Sequence, residues 1–149
     1  MTDWLTPRLD QLIALFNARS MDLPDGLFDR KTQFLLNGVS FESLLDRSPD
    51  DVLVRMLVRG PAGYRFAAKA LQHAMPDAAL ERGDTGSAAD PLEVSVEVWL
   101  SGHLRGSGDR FDTVVTIRAR LGEAGWIETA DAAIEPTGLG RLRAARLLS

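Results

Sequence analysis

Cysteine is absent from the chain. That excludes disulfide bonds, thiolate nucleophiles and cysteine-based zinc sites. It also fits a reducing compartment, so a cytoplasmic location is expected. Histidine occurs only 2 times, too few for a polyhistidine metal centre, and neither a metal nor another cofactor is expected. Long apolar runs are missing as well. None approaches the roughly 20 residues of a membrane-spanning helix. Met1-Thr2-Asp3-Trp4 carries no basic segment followed by an apolar one, as an export leader would. No membrane partner is expected. There is no basic excess either: the net charge is −4 and the pI about 5.1, a balance that argues against a nucleic-acid partner.

What is present is a globular composition. The chain has 149 residues, 45% hydrophobic and 26% charged, enough for one domain over residues 1–149 that buries its own core. Thr6-Pro7 reads as a cap with proline at the first helical position. Leu5, Leu9, Leu12, Ile13 and Phe16 follow at helical spacing, and Ser20 to Gly26 breaks the pattern. Asn37-Gly38 lies between Phe34-Leu35-Leu36 and Val39-Ser40-Phe41 and predicts a hairpin, because both turn positions take positive φ. A helix end capped by Gly38 is the other reading. Ser48-Pro49-Asp50-Asp51 opens a helix with Val52, Leu53, Met56 and Leu57 inward. After Gly60-Pro61-Ala62-Gly63 a second helix runs from Ala62 to Met75, with Phe66, Ala67, Ala70, Leu71 and Ala74 inward, until Pro76 stops it. Gly83 to Pro91 reads as a loop.

The last third is strand. Between Leu92 and Leu104 the even positions are apolar or glycine and the odd ones mostly polar, which is the period of a half-buried strand. Phe111 to Leu121 alternates again, and Trp126 to Glu135 makes a third long strand that Pro136 ends. Leu139 to Leu148 is a short basic tail, helix or strand. The predicted class is α+β, with a meander of antiparallel strands covered by the earlier helices.

Gly60-Pro61-Ala62-Gly63-Tyr64-Arg65-Phe66 running to Pro76-Asp77, then Ser101-Gly102-His103-Leu104-Arg105-Gly106, then Ile127 to Gly138-Leu139, in that order, resemble the nuclear transport factor 2-like superfamily and its SnoaL-like polyketide cyclase branch. The resemblance implies a cone-like curved antiparallel sheet wrapped around N-terminal helices, with an apolar pocket at its open end and sheet-to-sheet homodimers. It also implies an acid/base carboxylate late on the last strand. That position is Glu135 here, where the family has aspartate, and the aromatic usually four residues earlier is Asp131.

Thr129, Asp131, Ala133 and Glu135 share one face of their strand. If that face lines the pocket, Glu135 and Asp131 sit close together and can trade protons near neutrality. Otherwise the face is solvated or a dimer rim. His103, beside glycines, suits a general base or a donor to a carbonyl. Its parity with Glu93, Glu97 and Arg105 points outward unless a bulge at Gly102 reverses it. His73 reads as a helix-flank histidine. Trp99 belongs to an interface with Val114 and Thr116, or it caps the pocket, and Trp126 reads as a packing residue. Tyr64, Phe66 and Trp99 are the candidate ligand contacts. Arg141, Arg143 and Arg146 suit salt bridges to an acidic surface. Gly60-Pro61-Ala62-Gly63 lacks the Lys-Ser/Thr and preceding strand of a phosphate loop.

Two functions are expected from this. One is a cofactor-independent cyclase, isomerase or dehydratase moving a proton on an apolar carbonyl substrate, with Glu135 or Asp131 as acid/base and His103 as polariser. The other is a non-catalytic ligand-binding or dimerisation module with the same pocket. Both take an apolar small molecule and a second copy of the chain as partners.

Overall fold

The computed structural model describes residues 5–24, 28, 31–44, 58–87, 92–122 and 127–147. Helix α1 spans Leu5–Asn17 and buries Leu5, Leu9, Ile13 and Phe16, the stripe its helical period dictates. Strands β1 (Gln33–Leu36) and β2 (Val39–Ser40) pair as the expected hairpin. Asn37 and Gly38 hold φ 50° and 80°, the left-handed pair that a two-residue turn matching the strand twist requires. A short helix α2, Phe41–Leu44, follows. Helix α3 covers Gly60–Ala74, with Pro61 in its first turn. The Ser48 to Leu57 helix and Trp126 lie outside the described residues.

Strands β3 (Ala79–Ser87), β4 (Glu93–His103), β5 (Arg110–Leu121) and β6 (Ile127–Ala133) form an antiparallel meander. Helix α4, Pro136–Leu147, closes the described chain. The six-stranded sheet runs β2-β1-β6-β5-β4-β3. Three expectations need correction. The sheet is mixed, not wholly antiparallel: β1 lies parallel to β6, Gln33 opposite Thr129 through Leu36 opposite Ala132. The segment from Gly83 to Ser87 is strand, not loop, because its backbone pairs with Val94 to Val96 past a bulge between Arg82 and Thr85. Pro136 stands at the first position of α4, where its missing N–H costs nothing, so the strand has already ended at Ala133.

Even-numbered residues of β4 face inward. Val94, Val96, Val98 and Leu100 are buried and Trp99 is exposed. Phe111, Val115 and Ala119 do the same on β5. The core divides into two main clusters. One joins Leu5, Leu9, Ile13 and Phe28 to Val94, Val96, Val98, Ala119 and Ile127. The other joins Phe16, Ala74 and Met75 to Leu100, Leu104, Phe111, Val115 and Leu142. Among the described residues no helix is long and apolar enough to cross a membrane.

Candidate functional site

Between α1, α3 and the concave face of the sheet lies a cavity of about 670 Å³, within the roughly 300–1,000 Å³ of small-molecule sites. Its wall is overwhelmingly apolar. Leu9, Leu12 and Phe16 come from α1, Leu71 and Ala74 from α3, and Val98, Leu100, Val115 and Ile117 from the sheet. An aromatic chain crosses one side: Tyr64 stacks on Phe28, Phe28 meets Phe34 edge-on at 5.1 Å, Phe34 stacks on Phe41, and Phe41 contacts Phe66. These rings arrive from α3, the α1–β1 connection, β1 and α2. Their faces suit a flat, ring-bearing guest.

Polar groups in this wall are few: Arg8, Ser43, Tyr64 and Asp131. The Tyr64 hydroxyl is buried and has no hydrogen-bond partner among the described residues. Burial pushes its pKa above the ordinary phenol value, so it stands as a neutral O–H donor across the physiological range. An unmet buried hydroxyl costs about 1–3 kcal/mol, which a ligand oxygen would relieve.

The expected site residues are dispersed. Tyr64 and Phe66 line the cavity. From Thr129 onward the residues packed into the core are Ala130, Ala132 and Ile134, the last just past the end of β6, so this stretch turns its apolar parity inward and the Asp131–Glu135 parity away. Asp131 still reaches the wall, beside the β1–β2 hairpin, where its Oδ1 accepts a hydrogen bond from the Gly38 N–H at 3.1 Å. Glu135 is exposed, beyond the end of β6. The two carboxylates therefore do not form a buried pair. Trp99 is 52% exposed on the sheet's outer face and is not part of the cavity wall.

His103 also lies outside the cavity. Its Nδ1 is 2.6 Å from Asp77 Oδ2, and its backbone N–H donates to Asp77 Oδ1 at 2.8 Å. An ionised carboxylate only accepts, so Nδ1 carries the shared hydrogen and Nε2 is turned away from the carboxylate. The imidazole hydrogen bond, then the backbone one, holds the Asp77 carboxyl below its ordinary pKa. Gly102 makes this contact accessible: a Cβ there would fall 2.7 Å from Met75 Cε and 2.9 Å from Asp77 Oδ1. Sequence reasoning quoted Pro76-Asp77 and Ser101-Gly102-His103 without joining them. The joining signal is register. Ala79 pairs with Ser101, and two steps outward along an antiparallel ladder set residue 77 against 103.

Among the described residues no three His, Asp or Glu side chains cluster as metal ligands. His73 is exposed on α3, and its carbonyl accepts from Arg105 Nε at 2.8 Å. Arg141 lies over the Phe111 ring at 5.1 Å, while Arg143 and Arg146 lie on α4.

No family model matches the chain, and no curated protein matches it in sequence. Solved structures do. A SnoaL-like polyketide cyclase from Agrobacterium tumefaciens strain C58 superposes with a TM-score of 0.62 at 16% identity, covering 94% of this chain and 98% of that one. The epoxide hydrolase/cyclase-like enzyme SalBIII, which acts in pyran ring formation in the polyether salinomycin, gives 0.59 at 17% identity, over 93% and 97%. An NTF2-like protein of unknown function from Exiguobacterium sp. 255-15 gives 0.59 at 16%, over 87% and 98%. The helices on a curved, unclosed sheet thus make the nuclear transport factor 2-like fold, in the form that SnoaL-like polyketide cyclases share.

Proposed function

We propose that this chain binds an apolar, ring-bearing small molecule in the cavity, with the Tyr64 hydroxyl donating to a ligand oxygen. The observation that carries this is one buried hydroxyl without a hydrogen-bond partner among the described residues, on a residue of a mostly apolar wall. Ring contacts supply most of the affinity through buried area, and the hydroxyl supplies orientation. A series of aryl ketones titrated by calorimetry tests it. At least one should bind, and Tyr64→Phe should weaken it about 3–10-fold, the worth of one hydrogen bond, without lowering the melting temperature. A wild-type chain that binds none removes the proposal. Undiminished binding by Tyr64→Phe removes that residue from the site.

A second reading is cyclase-type proton transfer on the same ligand. It is favoured by Asp131, whose carboxylate reaches the wall and uses only one oxygen in hydrogen bonds among the described residues. Fold-level kinship with the cyclase and the cyclase-like enzyme described above supports it too. The readings separate at Asp131→Asn, which abolishes turnover if the carboxylate moves a proton and leaves ligand affinity in place if the protein only binds. The outer sheet face around Trp99 is proposed as the surface on which two copies associate.

A further inference from the structure

The β1–β2 turn is also a chemical weak point. In an Asn-Gly pair the Gly38 backbone nitrogen can attack Asn37 Cγ, because glycine has no Cβ to obstruct the approach. The new N–Cγ bond closes a succinimide, the Cγ–Nδ2 bond breaks, and ammonia leaves carrying the Gly38 amide proton. Water then opens the ring at either carbonyl and leaves aspartate or isoaspartate. Only water is consumed. Asn37 and Gly38 are exposed, so water reaches both. The chain's other asparagine, Asn17, precedes alanine, whose side chain hinders the same closure.

The docked turn opposes this at each reacting group. The side-chain amide is pinned: Asn37 Nδ2 donates to the Ile134 carbonyl at 3.0 Å, and Oδ1 accepts the Ile134 N–H at 2.7 Å. Closing the ring makes Cγ tetrahedral and releases Nδ2, so both bonds have to give way first. The Asn37 backbone is held as well, its N–H donating to the Ala132 carbonyl at 2.8 Å. The nucleophile is restrained in a different way. The Gly38 N–H donates to Asp131 Oδ1 at 3.1 Å, and attack requires that nitrogen to give up its proton. An ionised carboxylate beside it disfavours the negative charge that would form there. All of these partners lie on β6 or just past its end. Protection therefore depends on β1 staying docked to β6, a parallel pairing that runs only from Gln33 opposite Thr129 to Leu36 opposite Ala132.

We propose that Asn37 is a deamidation site which the docked hairpin keeps silent and which, once modified, does not dock again. In the product a carboxylate oxygen replaces the Nδ2 donor and faces the Ile134 carbonyl, acceptor against acceptor. Asp131 then stands as a second negative charge at the same turn. Isoaspartate also routes the main chain through the former side chain. That adds a methylene to a two-residue turn whose length fixes the strand register. Strand β1 brings Phe34, Leu35 and Leu36 to the cavity wall, so a modified chain loses that part of the enclosure. The inference stands on the turn and β6 and does not depend on what the cavity binds.

The test incubates the wild type in mildly alkaline buffer, folded and in guanidinium chloride, and maps its peptides by mass spectrometry with fragmentation that separates aspartate from isoaspartate. Denaturant should speed conversion at Asn37 about tenfold or more, since the folded chain reacts only in its opened fraction. Asn17 should convert slowly in both. Asp131→Ala, which removes the acceptor and its charge, should speed conversion severalfold in native buffer. No conversion at Asn37 in denaturant would remove the site. Equal rates in the two states would overturn the protection, and an unchanged rate in Asp131→Ala would overturn the part given to that carboxylate. The modified chain is then separated from aged wild type by its extra negative charge, and its amide hydrogen exchange is followed. The Asn37 and Ile134 N–H groups should exchange fast while the β4–β5 amides stay slow. Protection retained at Ile134 would overturn the one-way step. Asn37→Asp supplies the aspartate form directly, and ageing of the wild type supplies it if that variant does not fold.

Discussion

Asp77 and His103 are each about half exposed, 52% and 50% for their side chains, yet they are joined twice, through ring and backbone. The carboxyl is held below its ordinary pKa. Its contribution is therefore complete above the unfolded value of about 3.9 and is lost as pH falls through the lower native value. Asp77→Asn imitates the protonated acid. Urea denaturation across pH should show the wild type more stable than this variant by a steady margin at neutral and mildly acidic pH. The margin should shrink below about pH 4. A margin that stays constant into strong acid would mean that the ionised carboxylate contributes nothing. Other single residues act as backbone substitutes. Asn37 donates to the Ile134 carbonyl and accepts its N–H, at 3.0 and 2.7 Å, so its amide continues the β1–β6 pairing beyond the last strand residue. Asn17 does the same for Leu80 at 2.9 Å in both directions. Neither role shows in a sequence, because an asparagine in a turn or at a helix end has ample local reasons to be there.

At the scale of elements, local patterns were legible and remote ones were not. The alternation of β4, the Asn37-Gly38 hairpin and the α1 stripe each follow from neighbours in the chain, and each stands where the sequence places it. Residues 83–87 did not read as strand because Gly83, Asp84, Thr85, Gly86 and Ser87 have the composition of a turn. Pairing with β4 makes them one, and Gly83 admits the Trp99 indole, whose Nε1 lies 3.1 Å from where a Cβ would sit. The parity of β6 was legible but not its direction. Ala130, Ala132 and Ile134 are apolar where Thr129, Asp131 and Glu135 are polar, and it was the late carboxylates of the resembled family that pointed the other way. Helix α3 meets β1 through Gly63, where a Cβ would strike the Val58 carbonyl oxygen and lie 2.5 Å from Phe34 Cδ2. Alanine would otherwise favour the helix by about 1 kcal/mol. The collision with backbone is the larger effect, so Gly63→Ala should lower stability by about 1–3 kcal/mol in urea. An unchanged midpoint would show that α3 is free to shift.

For the whole molecule, the sheet separates two surfaces of opposite character. The concave side holds the cavity. On the convex side Trp99 stands across from Val114 on β5, with Thr116 farther along that strand, and an indole 52% exposed is an unusual thing to leave in water. If two copies meet there, as proposed, Trp99→Lys should convert a dimer into a folded monomer by light scattering while leaving ligand affinity untouched, because the cavity faces the other way. An unaltered assembly would move the contact elsewhere.

The parallel pairing of β1 with β6 has a consequence for how the molecule comes into being. On the ribosome α1 and the hairpin emerge early, but the strand that receives β1 lies some ninety residues downstream, from Gln33 to Ile127. Until that stretch is translated, the hairpin and the aromatic side chains near it have no sheet to rest on. The meander, built from sequential neighbours, can assemble on its own schedule. The cavity is thus closed last: a nascent chain stopped short of β6 would hold β3, β4 and β5 with the α1 side of the wall, but not the strand that ties β1 and its Phe34 ring to the sheet.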